Sequence, residues 1–266
     1  MAQHETVRIA AVSDLHYGRT GMAPLLPFLA HVVEQADILA LCGDLTDHGL
    51  PEEARGLARE LSGFKIPMVG VLGNHDYESD QVDDLKTIFA DHRIRILDGD
   101  AIEIRGIGFG GVKGFCGGFG RRALAPWGEP AIKAFVQEAL GEALKLETAL
   151  SKLRSERKVA LLHYAPIQAT IEGEPPEIWP FLGSTRLEDP INRHTVDVVF
   201  HGHAHHGCPE GATLAGIPVY NVSITLLQHH FPDRPPFRVT ELAIDVAAKE
   251  ARAADPLAQI ASARPA

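Results

Sequence analysis

The sequence predicts an α/β fold, in which a mostly parallel sheet covered by helices is accompanied by a second, more antiparallel sheet. Three observations carry this. Five short apolar runs recur, helical stretches separate the first three of them, and short alternating runs fill the middle and end of the chain. Near-continuous Val/Ile/Leu runs indicate strands buried on both faces, and strand-helix alternation gives parallel strands whose carboxyl ends share one edge.

In order, Val7–Val12 runs into Ser13-Asp14-Leu15-His16, and Asp37–Cys42 runs into Gly43-Asp44. Ile66–Leu72 leads to Gly73-Asn74-His75-Asp76, Val159–Leu162 to His163, and Val196–Phe200 to His201-Gly202-His203-Ala204-His205-His206. Pro24–Gln35 carries Leu25, Leu26, Leu29, Val32 and Val33 at helical spacing. Pro51–Ser62 opens with Pro-Glu-Glu, a favourable helix start, and a third helix is expected over Asp80–Asp91. Ile94–Leu97 and Ala101–Arg105 suggest strands of the second sheet, closed by Ala212–Ala215, Ile217–Ile224 and Phe237–Ile244. Gly106–Gly111 matches G-x-G-x-x-G, with more glycines through Gly120, but no helix follows it. A mobile loop near the site is the expectation, not dinucleotide binding. Glu129–Arg157 has Ile132, Phe135, Val136, Ala139, Leu140, Ala143, Leu144, Leu150 and Leu153 near helical spacing, as a core-facing helix would. Thr170–Ser184 lacks periodicity, so it is either a surface loop or the lining of a substrate pocket.

At 266 residues, 45% hydrophobic and 23% charged, the chain has the composition of a soluble protein with a substantial core. A single domain is expected over residues 1–246, with an Ala/Arg/Pro-rich tail from 247 to 266 that frays. No run approaches the ~20 apolar residues that span a bilayer, and the N-terminus has no basic segment ahead of an apolar one. Three cysteines, Cys42, Cys116 and Cys208, have no paired spacing, which suggests reduced thiols and a cytoplasmic location. The net charge of −10 works against gripping long nucleic acid through phosphate contacts. It does not oppose a small phosphorylated substrate, because bound cations invert the field locally.

Four histidines within six residues, following an apolar run, place neutral imidazoles at a sheet edge where a transition metal can reach them. Each motif alone has a bland reading. A lone Asp after a strand is usually a helix cap, a lone His163 is a satisfied core histidine, and Asp47 before Pro51 is a cap or turn residue. His48, His206, His229 and His230 suit solvent or outer positions.

The joint order Asp14-x-His16, Gly43-Asp44, Gly73-Asn74-His75-Asp76, His163 and Gly202-His203-Ala204-His205 resembles the calcineurin-like metallophosphoesterase superfamily. The resemblance implies a four-layer αββα sandwich of two packed sheets flanked by helices. It also implies two metal ions sharing one bridging carboxylate. Asp14, His16, Asp44 and His205 would hold one ion; Asp44, Asn74, His163 and His203 would hold the other. Mixed nitrogen and oxygen donors suit Mn, Fe, Zn or Co. The implied chemistry is attack on phosphorus by a metal-bridging hydroxide, with His75 assisting the leaving group and Asp76 fixing the His75 tautomer.

Departures narrow the substrate. Serine/threonine protein phosphatases carry Gly-Asp-x-x-Asp-Arg-Gly, where this chain has Gly43-Asp44-Leu45-Thr46-Asp47-His48-Gly49 without the arginine. Lipid-A-precursor hydrolases carry Arg where His75 stands. The pattern looks more like bacterial-type phosphodiesterases and small-molecule phosphoesterases, including the cyclic-nucleotide group. Diester hydrolysis is therefore favoured, with a small-molecule phosphomonoesterase as the alternative. A non-catalytic interaction scaffold on the same fold is the alternative of another class. Such relatives usually lack ligands or the histidine, and none is missing here.

Overall fold

The computed structural model describes residues 4–19 and 25–246. The side chains of Leu25, Leu26 and Leu29 and the tail expected to fray from Ala247 lie outside the described residues. The strands are β1 (His4–Val12), β2 (Ile38–Cys42), β3 (Met68–Val71), β4 (Ile94–Ile96), β5 (Asp100–Ile104) and β6 (Ile107–Gly111), then β7 (Arg157–Leu161), β8 (Val198–His201), β9 (Glu210–Ala212), β10 (Pro218–Asn221) and β11 (Arg238–Asp245). Helices α1 (Leu25–Gln35), α2 (Pro51–Leu61), α3 (Val82–Asp91), α4 (Pro130–Lys152), α5 (Trp179–Leu182), α6 (Glu188–Arg193) and α7 (Ile224–His230) lie between them. One sheet has the order β11-β1-β2-β3-β4 and the other β5-β6-β7-β8-β10-β9.

Alternation along the strands explains why the sheets stack. In β1, Val7, Ile9 and Ala11 face one way and Ala10 and Val12 the other, and all five are buried. The first set packs with Ile38, Ala40, Val69 and Val71 against Phe109, Val159, Val198 and Phe200 of the second sheet, forming the core between the sheets. The second set packs with Leu39 and Leu41 against Val32 of α1, Leu57 and Leu61 of α2, and Leu85 and Phe89 of α3. On the far side, Ala160, Val199 and Val219 meet Leu146 and Leu150 of α4 and Ile191 of α6. Two sheets, each with one face on the other and one face under helices, make the four layers.

The five apolar runs are strands, but they do not form one sheet: β7 and β8 belong to the second, and its four central strands are parallel rather than antiparallel. β4 pairs parallel with β3, and β11 antiparallel with β1, so both of these runs join the first sheet instead. Local alternation sets the faces of a strand but not its partner, which the packing decides. The first part of the glycine-rich run is not a loop: Ile107–Gly111 is β6, with Ile107 and Phe109 buried between the sheets and the α-carbons of Gly108 and Gly110 packed against Leu153 and Leu150, and residues 112–119 continue it as a glycine-rich loop. In α4, Leu140 and Leu144 stand exposed on the solvent side of the expected core face.

Removing the Phe109 ring from the inter-sheet core by Phe109→Ala is expected to lower stability by about 3–5 kcal/mol. The exposed Leu214→Ala should move it by less than about 0.5 kcal/mol. Urea unfolding of both variants checks the pair; equal effects would contradict the layer assignment.

Candidate metal centre

The carboxyl ends of β1, β2, β3, β7 and β8 meet at one end of the sandwich, and a backbone seam aligns them across the two sheets. The Ser13 N–H donates to Val222 O at 3.0 Å, and the Ile224 N–H to Ser13 O at 3.1 Å, joining the end of β1 to the segment after β10. The Asp14 N–H donates to Gly43 O at 3.0 Å, and the Gly202 N–H to His163 O at 3.1 Å, continuing each sheet past its strand ends.

Two features of the sequence let the side chains converge. Asp14, His16, Asp44 and His203 have φ of 60°, 41°, 48° and 71°, four of the eight described non-glycine residues in the left-handed region. That backbone costs roughly 1–2 kcal/mol per residue, and it turns the chain so that strand-end side chains face inward instead of alternating. The motif glycines provide clearance. A Cβ on Gly43 would sit 2.5 Å from His163 Nδ1, one on Gly73 2.2 Å from Asp44 Oδ1, and one on Gly202 2.6 Å from Asp14 Oδ2. Each glycine of one motif is where a candidate ligand from another packs.

Donor atoms gather in three overlapping groups: Asp14, His16 and His205; His16, Asp44 and His75; and Asp44, His163 and His203, each within 4.8 Å of one another. Asn74 joins the third, its Oδ1 2.9 Å from His163 Nε2. All seven residues singled out as ligands, together with His75, therefore line one end of the molecule. His205 Nε2 lies 3.0 Å from Asp14 Oδ1, and His163 Nε2 lies 3.3 Å from Asp44 Oδ1. Donors on one ion at ~2.1 Å and right angles would sit about 3 Å apart.

The hydrogen bonds leave these nitrogens suited to a cation. His163 Nδ1 donates to Cys42 O at 3.0 Å, so its Nε2 lone pair faces Asn74 and Asp44. His203 Nε2 donates to Phe181 O at 3.2 Å, leaving Nδ1 available. His16 Nδ1 contacts Asp47 Oδ1 at 3.1 Å, while its buried Nε2 has no hydrogen-bond partner and lies 3.8 Å from Asp44 Oδ2. A carboxylate behind an imidazole whose outer nitrogen is unpaired is a common arrangement for a metal-binding histidine. His201 differs: Nδ1 donates to Gly202 O and Nε2 accepts from the Thr170 hydroxyl, so this buried ring is already satisfied.

The electrostatics agree. Burial pushes the Asp14 carboxyl up, but the hydrogen bond and charge of His205 outweigh it and hold Asp14 well below the ordinary range. Asp44 is also lowered, burial being overcome by the charge of His163. Burial pulls His163 down, yet Asp44 and Asp14 raise it to about 9, while burial takes His203 down to about 3. Two anionic carboxylates among imidazoles are arranged for positive charge, from protons or from metal ions.

The structure departs from expectation around Asp76. The His75 Nδ1 donates to Asp47 O at 2.7 Å, and Asp76 makes no bond to that ring. Asp76 is fully buried and accepts from the Leu45, Thr46 and Gly73 N–H groups and from the Thr46 hydroxyl, tying the loop after β2 to the loop after β3. Asp47, expected as a cap or turn residue, instead positions both His16 and His75. Ser13, whose hydroxyl donates to Asp14 Oδ2 at 2.7 Å, and Asn221, whose amide donates to Ala204 O at 2.7 Å, were not singled out by spacing. Ser13 precedes Asp14 directly, but Asn221 acts from a distant strand end and leaves no local signal.

The calcineurin-like phosphoesterase family model matches residues 7–207, and the chain belongs to that family. Among solved structures it is similar to phosphopantetheinyl hydrolase from Mycobacterium tuberculosis, with a TM-score of 0.60 and 17% identity over 87% of this chain and 95% of that one. A protein from Thermus thermophilus gives a TM-score of 0.54 and 19% identity over 84% of this chain and 92% of that one. Purple acid phosphatase from yellow lupin seeds gives 0.53 and 13% over 84% of this chain and 44% of that one. No curated protein matches the sequence. The chain is a phosphoester-hydrolysing enzyme with a metal site. Among the described residues no helix is long and apolar enough to cross a membrane.

Asp47→Ala removes the acceptor behind His16 and is expected to weaken metal affinity by roughly 10–100-fold. Metal titration by calorimetry checks this; unchanged affinity would show that His16 needs no support.

Proposed function

We propose that two transition-metal ions, drawn from Mn, Fe, Zn and Co, occupy this centre and that the enzyme hydrolyses small phosphodiesters in preference to monoesters. The observation that carries the dinuclear reading is Asp44. Its Oδ1 faces His163 Nε2 at 3.3 Å and its Oδ2 faces His16 Nε2 at 3.8 Å, so one carboxylate presents a separate oxygen to each group of donors. Asp14, His16, Asp44 and His205 would hold one ion, and Asp44, Asn74, His163 and His203 the other. The chemistry these ions would supply is neutralisation of the phosphoryl oxygens and a lowered pKa for the attacking water.

The chain's own groups supply the rest. Asn74 offers a neutral carbonyl oxygen, which limits the negative charge facing an anionic substrate. His75 is held through Nδ1 by Asp47 O, which leaves Nε2 free; in the imidazolium form its Nε2–H would deliver a proton to the departing oxygen and leave the ring neutral. Its side chain is 37% exposed, so a leaving group can reach it. Asp76 acts through the backbone it anchors, not on the substrate.

Diester preference is supported by what surrounds the ligands. Among the described residues, the candidate ligand side chains hydrogen-bond one another, Ser13, Asp47 and backbone groups, with no arginine or lysine. A diester carries less charge than a monoester dianion and needs less neutralisation at its non-bridging oxygens. A small substrate also suits the net charge of −10, and three unpaired cysteines support a reducing, cytoplasmic setting.

Chelation should abolish turnover of bis(p-nitrophenyl) phosphate and Mn should restore it, with kcat/KM above that for p-nitrophenyl phosphate. A higher monoester value would reverse the substrate preference, and no metal-dependent turnover of either would remove the catalytic reading. Asp44→Asn should lose bound metal, whereas His75→Ala should keep it and lose about 10²–10⁴-fold in kcat. An empty site in His75→Ala would make His75 a ligand.

A further inference from the structure

Beside the metal centre lies a cavity of about 660 Å³ that the hydrolytic chemistry does not use. Its walls are Gly117 and Phe119 from the glycine-rich loop, Ile132 and Phe135 from the first turns of α4, and Trp179 and Phe181 from α5. The volume is that of a small-molecule site, and the lining is mostly apolar, with Arg122 and Gln168 as polar members.

The cavity is built into the centre. Phe181 belongs to both: its side chain lines the cavity, while its carbonyl accepts from His203 Nε2 at 3.2 Å and from Cys116 Sγ at 3.2 Å. On either side, the Ala165 N–H donates to Leu182 O at 3.0 Å and the Gly117 N–H to Pro180 O at 2.8 Å. These bonds fix α5 to the chain leaving His163 and to the glycine-rich loop. The rings also run without a break from cavity to ligand: Phe135 to Phe115 at 5.0 Å, Phe115 to Tyr164 at 6.0 Å, and Tyr164 to His203 at 4.4 Å between centroids. Trp179 is oriented by its indole N–H donating to Glu174 O at 2.8 Å, so its face is set before a ligand arrives.

Resting on the phosphoester reading above, we infer that this cavity holds an apolar alkyl or aryl group esterified to the phosphate, setting the substrate class as phosphoesters of hydrophobic alcohols. A nucleoside or sugar ester would leave its hydroxyls and ring nitrogens against phenyl and indole faces, with too few polar partners to replace lost water. An apolar group gains by leaving water, and the catalytic end of the same molecule stays in the polar centre.

The test uses phosphonates, which are not hydrolysed, so it reads the cavity apart from turnover. Methyl-, butyl- and hexylphosphonate are titrated into the Mn-loaded protein by calorimetry. Affinity is expected to rise by roughly two- to fourfold per methylene up to butyl or beyond. The hexyl-to-methyl ratio should fall at least threefold in Phe135→Ala. Because Phe135 also packs on Phe115, Ile132→Ser provides a second variant with the same expectation. Equal affinities along the series, no binding of hexylphosphonate, or a ratio untouched by both variants would overturn the assignment. A rising series without turnover of the chromogenic esters would remove the hydrolytic reading and leave the apolar site; turnover with a flat series would do the reverse.

Discussion

Two carboxylates, Asp14 and Asp44, are each only 2% exposed and stand at the junction of two sheets with imidazoles on every side. Burying an ionised carboxylate is costly unless compensating charge and hydrogen bonds surround it. Much of the local architecture supplies them. Ser13 donates to Asp14, as does the His203 N–H at 3.2 Å, and the His75 N–H donates to Asp44 at 2.9 Å. Hydrogen bonds alone leave the His16 Nε2 unpaired and the His163 Nε2 facing oxygens, so the arrangement is complete only with added positive charge. A site that holds its charge deficit in rigid backbone turns is preorganised for cations, and through them for an anionic ester.

Such a site depends on register between two sheets that share no continuous ladder. The seam at Ser13 and Val222 provides it, because a one-residue slip there would turn Asp14 toward the core. Asp76 does the same within the first sheet: one buried carboxylate collects the free N–H groups of two loops and so sets Asp44 relative to Asn74. All of its hydrogen bonds go to these loops, so its contribution here is geometric. The left-handed backbone at four candidate ligands is then tolerated, since the surrounding bonds over-determine each turn.

The candidate ligands were legible in the sequence because each motif is local: an apolar run with a donor at or just beyond its end, and in three of the five a glycine directly before a donor. So were the strands that carry them. Sheet membership was not, since β4 and β11 show only an alternation compatible with either sheet, and their partners are set by packing at a distance. The glycine-rich strand was hidden for a related reason. Gly108 and Gly110 pack against Leu153 and Leu150, and Gly111 against Val71 and Leu97 of the first-sheet side, contacts that composition does not contain. Asp47 and Asn221 show the same limit at the site: a residue that supports a ligand from another element has no spacing rule. Adjacency suggests a bond from Asp76 to the His75 ring, but after β3 the ring bonds Asp47 O while Asp76 bonds the N–H groups of Leu45, Thr46 and Gly73.

The proposed dinuclear centre places Asp44 between two cations. Anomalous diffraction from crystals grown with Mn, recorded at the manganese edge, addresses it without recourse to activity. Two peaks roughly 3.5–4 Å apart, one beside each oxygen of Asp44, are the predicted result. A single peak, or peaks away from Asp44, would contradict the account.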